Sequence, residues 1–64
     1  MESVVLGRTY KDKVHGVTGV AVMRCDHLEG YTRVCLQWLH EGRLADEWFD
    51  QRRLVPVTVG GADA

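Results

Sequence analysis

Two runs, 20–28 and 31–39, flank Glu29-Gly30 near the middle of the chain and constrain its fold more than any other feature. Each mixes β-branched, aromatic and aliphatic residues with a few charges. Neither shows the i, i+3, i+4 apolar spacing of an amphipathic helix. Glu-Gly suits a two-residue hairpin turn, though less well than Asn-Gly. Side chains alternate between the two faces of a strand, so the turn decides which residues share a face. Folded across Glu29-Gly30, the runs set Ala21, Met23 and Cys25 against Trp38, Leu36 and Val34. The opposite face pairs Asp26 with Arg33 and also carries Val20, Val22, Leu28, Tyr31, Cys35 and Leu39. A core needs one apolar face, and this hairpin has nearly two. Both assignments depend on the turn, because a slip of one residue would exchange the faces.

The rest of the chain has the same character. Glycines at 7, 16, 19, 30, 42, 60 and 61 separate short β-rich runs, and there is a single proline. This punctuation predicts strands over 8–14, 20–28, 31–39, 44–49 and 54–57, joined by 15–19, 29–30, 40–43 and 50–53. The segment Asp50-Gln51-Arg52-Arg53 can close as one 3-10 turn, with Asp50 capping its free N–H groups. The expected fold is all-β, a small SH3-like five-stranded bent barrel with a 3-10 turn before the last strand. It spans 1–57, and the small and polar residues of 58–64 form a tail expected to fray.

A chain of 64 residues forms one domain and buries a smaller fraction of its surface than a larger domain does, so a staple, a metal or a partner subunit is sought. The net charge of −1 supplies no global field for nucleic acid. No apolar run approaches the length of a membrane span, and the first residues lack the charged and apolar regions of a signal peptide. A soluble cytoplasmic protein is expected.

Asp12-Lys13-Val14-His15-Gly16-Val17-Thr18-Gly19 forms a distinct motif. Two glycines three apart permit positive φ in a tight loop, and Asp12 can accept hydrogen bonds from the loop amides. With Leu28-Glu29-Gly30 and Glu47-Trp48-Phe49-Asp50, this motif resembles short uncharacterised SH3-like barrel proteins of phages and mobile genetic elements. The resemblance covers roughly residues 8–57. Val17 stands where an aromatic is common in that group. The resemblance implies a fold and no particular activity.

Several chemistries can be weighed on the residues. In the two-residue-turn register Cys25 lies opposite Val34 and Cys35 opposite Arg24, so the sulfurs point to opposite faces and no disulfide can form. A three-residue loop would instead set Cys25 across from Cys35. His15, His27, His40, Cys25 and Cys35 lack metal-ligand spacing, and Cys25 with His27 cannot close a tetrahedral site. A catalytic Cys–His pair would need an orienting group, an oxyanion hole and a pocket, and so small a barrel has no pocket of its own. The one route is a pocket assembled between subunits. Small plasmid-borne reductases of SH3-like fold are similar in that respect, building one site at the centre of a tetramer, but none of their motif residues can be placed here. Neither an enzyme nor a cofactor is expected.

Nucleic-acid binding is the competing class. The Gly16–Gly19 loop resembles the glycine-containing turn of KOW modules. Lys11, Lys13, Arg24 and Arg33 could contact phosphates, and Trp48 or Tyr31 could stack on a base. Against this, Asp12, Asp26, Glu29, Asp46 and Glu47 are mixed among those cations, whereas a phosphate-tracking surface carries a positive excess.

In the fourth run, either Trp48 or Phe49 must face outward. Placing Phe49 inside with Val34 and Leu36 leaves Trp48 beside Val22, Cys35 and Leu39. A contiguous apolar set containing a Trp marks an interface. The expected function is therefore a non-enzymatic protein-binding or adaptor module. It forms a homo-oligomer, most simply a dimer, through Val22, Cys35, Leu39 and Trp48, and its further protein partner is unidentified.

Overall fold

The structure, a computed structural model, describes residues 4–57. Five strands form one antiparallel sheet: β1 (Thr9–Asp12), β2 (Thr18–Asp26), β3 (Thr32–His40), β4 (Arg43–Asp50) and β5 (Leu54–Pro56). Their order across the sheet is β4-β3-β2-β1-β5, so β4 and β5 are edges and the sheet does not close on itself. The 3-10 turn Gln51–Arg53 precedes β5, and Asp50 caps it by accepting from the Arg52 N–H at 2.8 Å. The fold is thus all-β with five strands and the expected turn, although the closed barrel is replaced by an open sheet. The tail expected over 58–64 lies outside the described residues.

β2 and β3 meet in a register that the two-residue turn does not allow. Cys25 lies opposite Arg33, Arg24 opposite Val34, Met23 opposite Cys35, and Asp26 opposite Thr32. The loop explains the first shift. The His27 N–H donates to the Tyr31 carbonyl at 2.9 Å, and the Gly30 N–H donates to the His27 carbonyl at 2.9 Å. Leu28-Glu29-Gly30 therefore forms a three-residue loop that ends on Gly30 at φ +99°, a conformation suited to glycine. This loop lies one residue earlier than the one that would have aligned the cysteines.

A second shift occurs further along β2. The register breaks between Ala21 and Met23, leaving Val22 as the extra residue of a β-bulge. Beyond it Ala21 pairs with Leu36 and Val20 with Gln37. The two single-residue shifts together restore the original alternation, so Ala21 still faces inward and Val20 outward. Between the bulge and the loop the alternation is reversed, and Met23 and Cys25 leave the expected inner face for the outer one. The cysteines consequently share that face as diagonal neighbours, both free, with Cys25 exposed and Cys35 buried.

The inner face forms the core. Tyr10, Ala21, Val34, Leu36 and Phe49 are buried together with Val4, and Val17, Trp38 and Leu54 pack against them. Phe49 lies opposite Val34, which places it inside and Trp48 outside. The segment entering β1 is fastened by the Val4 N–H to Gln51 Oε1 at 3.0 Å and the Val5 N–H to Tyr10 Oη at 2.8 Å.

Asp12 is fully buried at one end of this core. Its carboxylate accepts from Arg53 through both Nε and Nη2 at 2.8 Å, and from the His15 N–H at 2.8 Å. One side chain thus ties the β1–β2 loop to the 3-10 turn. Hydrogen bonds from Arg53 hold its carboxyl down at about 2, against the opposing effect of burial. The two glycines of the motif have different tasks. Gly16 adopts φ +78°, whereas Gly19 lies so close to β3 that an added Cβ would sit 2.8 Å from the Gln37 carbonyl oxygen.

Candidate interaction face

The face opposite the core can be assembled row by row from the strand registers. Met23, Cys35 and Trp48 form one row across β2, β3 and β4, and Val20, Gln37 and Asp46 form the next. Leu39 lies opposite Leu44 at one end, and Cys25, Arg33 and Asp50 align at the other. On the β1 flank, Thr9 pairs with Val20 and Lys11 with Thr18, which puts both on this same face.

Across β2, β3 and β4 five large apolar side chains stand exposed here: Val20, Met23 at 49%, Leu39 at 73%, Leu44 at 66% and Trp48 at 40%. Cys35 between them is only 1% exposed and forms their floor. Burial, reinforced by the nearby Asp46 carboxylate, pushes its thiol up, while the Glu47 backbone N–H opposes the shift. This thiol is a packing group rather than a nucleophile.

Two depressions border the β2–β3 loop. One of about 200 Å³ is lined by Cys25, His27, Arg33 and Trp48 and opens onto the apolar face. The other, of about 260 Å³, is lined by Gly30, Tyr31, Thr32, Asp50, Gln51 and Arg52. The stacked rings of His27 and Tyr31, 4.0 Å apart, lie between them. In the second depression Asp50 and Arg52 are paired with each other, while Thr32 donates to Asp26 and Gln51 accepts from the Val4 N–H. Asp50 accepts from Arg52 Nε and Nη2 at 3.1 and 2.9 Å, which holds its carboxyl at about 2.

Of the four residues expected at an interface, Cys35, Leu39 and Trp48 share this face. Val22 is the half-buried bulge residue and has no cross-strand partner, and Met23 occupies the place beside Cys35 expected for it. Leu44 joins the set through the same alternation as Trp48, at i and i+4 on one strand. Its period was readable in the sequence, whereas the position of Met23 depends on the bulge.

The four cations proposed for nucleic acid do not converge. Arg24 lies on the inner-face side of β2 and pairs with Asp26 at 3.2 Å. Lys13 belongs to the β1–β2 loop, where its N–H donates to the Arg53 carbonyl at 2.8 Å. Lys11 and Arg33 share the outer face, but their β2 partners Thr18 and Cys25 are seven positions apart, or about 20 Å along the strand.

Among the described residues no group of three or more His, Cys, Asp or Glu side chains is placed to hold a metal ion. Nor is any helix among them long and apolar enough to cross a membrane. No protein family, curated protein or solved structure matches this chain.

Proposed function

We propose that this chain is a non-enzymatic binding module of SH3-like topology that self-associates through its outer sheet face and serves as an adaptor. One observation carries the reading: Val20, Met23, Leu39, Leu44 and Trp48 lie exposed around Cys35, on the side of the sheet that the core does not use. Isolated exposed apolar residues are common on soluble proteins, but a contiguous set containing a half-exposed Trp is characteristic of an interface. A domain this small gains stability from covering such a face.

The SH3-like assignment rests on the meander β1 to β4, the return of β5 to β1 and the 3-10 turn between β4 and β5. The likeness of the Asp12–Gly19 motif to short barrels of phages and mobile elements belongs to the same reading, and the two free thiols suit a reducing cytoplasm. Nucleic-acid binding has less support because its four cations are dispersed over both faces and a loop.

Sedimentation equilibrium tests the proposal. The chain is expected to dimerise at tens of micromolar and to become monomeric, still folded, on Trp48→Ala. A wild-type monomer at that concentration would refute self-association. A salt-dependent shift of a labelled oligonucleotide, lost on changing Lys11 and Lys13 to Glu, would favour the other class.

A further inference from the structure

We infer that the outer face is covered by a second copy of this chain, related by a two-fold axis parallel to the strands, with β4 of one protomer lying over β1 of its partner. This rests on the self-association proposed above and adds the arrangement of the two copies.

The amount of apolar surface argues for a second copy. The five exposed side chains together present roughly 500 Å², estimated from their fractional exposures. A standard interface buries about 800 Å² per partner, a little over half of it apolar. The face therefore supplies about one such interface.

The charges select the axis. The middle of the face holds Val20, Met23, Cys35, Gln37 and Leu39 and is uncharged. Charges lie at its borders, with Lys11 on the β1 flank, Asp46 on the β4 flank, and Arg33 and Asp50 together at the loop end. In a two-fold contact each patch meets its own copy. An axis across the strands lays β4 over β4, bringing Asp46 towards Asp46 of the partner subunit and Lys11 towards Lys11 of the partner subunit. An axis along the strands exchanges the flanks and keeps the rows, so Asp46 comes over Thr9 of the partner subunit, one row (about 7 Å) from Lys11 of the partner subunit and within reach of its long side chain, twice per dimer. It also lays the lysine's aliphatic stem over the exposed Leu44 of the partner subunit. Like charges brought together at an interface are costly, and opposite charges fix its orientation. The flanks favour the second arrangement.

The test compares the full chain with Lys11→Glu, Asp46→Lys and the double variant by sedimentation equilibrium at low salt, with circular dichroism confirming that each is folded. Each single reversal is expected to weaken dimerisation by about 10-fold and the double to restore it to within about 3-fold. The milder Lys11→Gln and Asp46→Asn variants should weaken it by smaller factors. A stronger dimer on Asp46→Asn would reveal acid facing acid and overturn the inference in favour of the axis across the strands. Singles without effect, in a dimer that Trp48→Ala abolishes, would also overturn it while leaving self-association intact. A wild-type chain that stays monomeric would overturn both, leaving the face to a different protein.

Discussion

Asp12 and Arg53, 41 positions apart, form a two-pronged ion pair in which Nε meets Oδ1 and Nη2 meets Oδ2, each at 2.8 Å. The carboxylate is buried and accepts a further bond from the His15 N–H, while the guanidinium lies 5.6 Å from the centre of the Phe49 ring. A buried pair of this kind does not guarantee net stability, but removing one partner leaves the other uncompensated. Asp12→Asn is expected to lower Tm at neutral pH by on the order of 10 °C, as measured by thermal unfolding.

The same pair makes the fold sensitive to acid. The Asp12 carboxyl has an ordinary value of 3.8 and is held at about 2 in the folded chain, chiefly by Arg53. The unfolded chain therefore binds more protons between these values, and folding stability rises with pH there. The contribution is complete above pH 3.8 and is lost as pH falls through about 2. Asp50, held at about 2 by Arg52, acts in the same direction. Urea unfolding from pH 7 to 2 should show wild-type stability falling in this window, with a shallower slope for Asp12→Asn. Equal slopes would mean that Asp12 is not ion-paired in solution.

Gly16 and Gly19 separate two reasons for glycine. Gly16 has φ +78° and open space where a Cβ would go, so Gly16→Asn should cost a few tenths of a kcal/mol, roughly the left-handed tolerance of Asn. At Gly19 the added carbon would lie 2.8 Å from the Gln37 carbonyl oxygen, so Gly19→Ala must part β2 from β3 and should cost about 2 kcal/mol or more. Urea midpoints at constant m-value give the comparison. Equal costs would contradict the close approach at Gly19.

The inner and outer sides of β4 should respond differently to truncation. Phe49→Ala empties a core position opposite Val34 and should cost about 3 to 5 kcal/mol. Trp48→Ala removes a half-exposed side chain and should cost about 1 kcal/mol in the monomer. Far-UV circular dichroism in urea at low protein concentration distinguishes these costs from any effect on association. A larger loss from Trp48→Ala would reverse the assignment of the two faces.

These contrasts mark what the sequence could convey. Strand positions followed from glycine punctuation and β-branched runs, and the Asp50 cap and the Asp12 loop contacts followed from local spacing. Alternation along β4 required one of Phe49 and Trp48 to face outward, and the pairing of Phe49 with Val34 decides which. What could not be read was the path of β2. Leu28-Glu29-Gly30 closes as three residues because Gly30 supplies the left-handed position, and either loop length fits the same letters. The bulge at Val22 leaves no compositional mark, yet it moves Met23 and Cys25 to the outer face. Arg53 as the partner of Asp12 is a long-range contact with no local signal.

That relocation of the cysteines gives the last prediction. Strict alternation across a two-residue turn would have put Cys25 inside and Cys35 outside. The bulge and the longer loop put both on the outer face, where Cys25 is exposed at the rim and Cys35 lies beneath its neighbours at 1% exposure. Burial and the Asp46 carboxylate push the Cys35 thiol up, so it is poor in thiolate as well as sheltered. Alkylation proceeds through the exposed thiolate, and a buried thiol reacts only when the strands open. Iodoacetamide at pH 8 should therefore modify Cys25 at least about 100-fold faster than Cys35. Mass spectrometry of the peptides would show one modified site early and the second only under denaturing conditions. Preferential modification of Cys35 would show that β2 keeps the simple register, and equal rates that Cys35 lacks its cover of Met23 and Trp48.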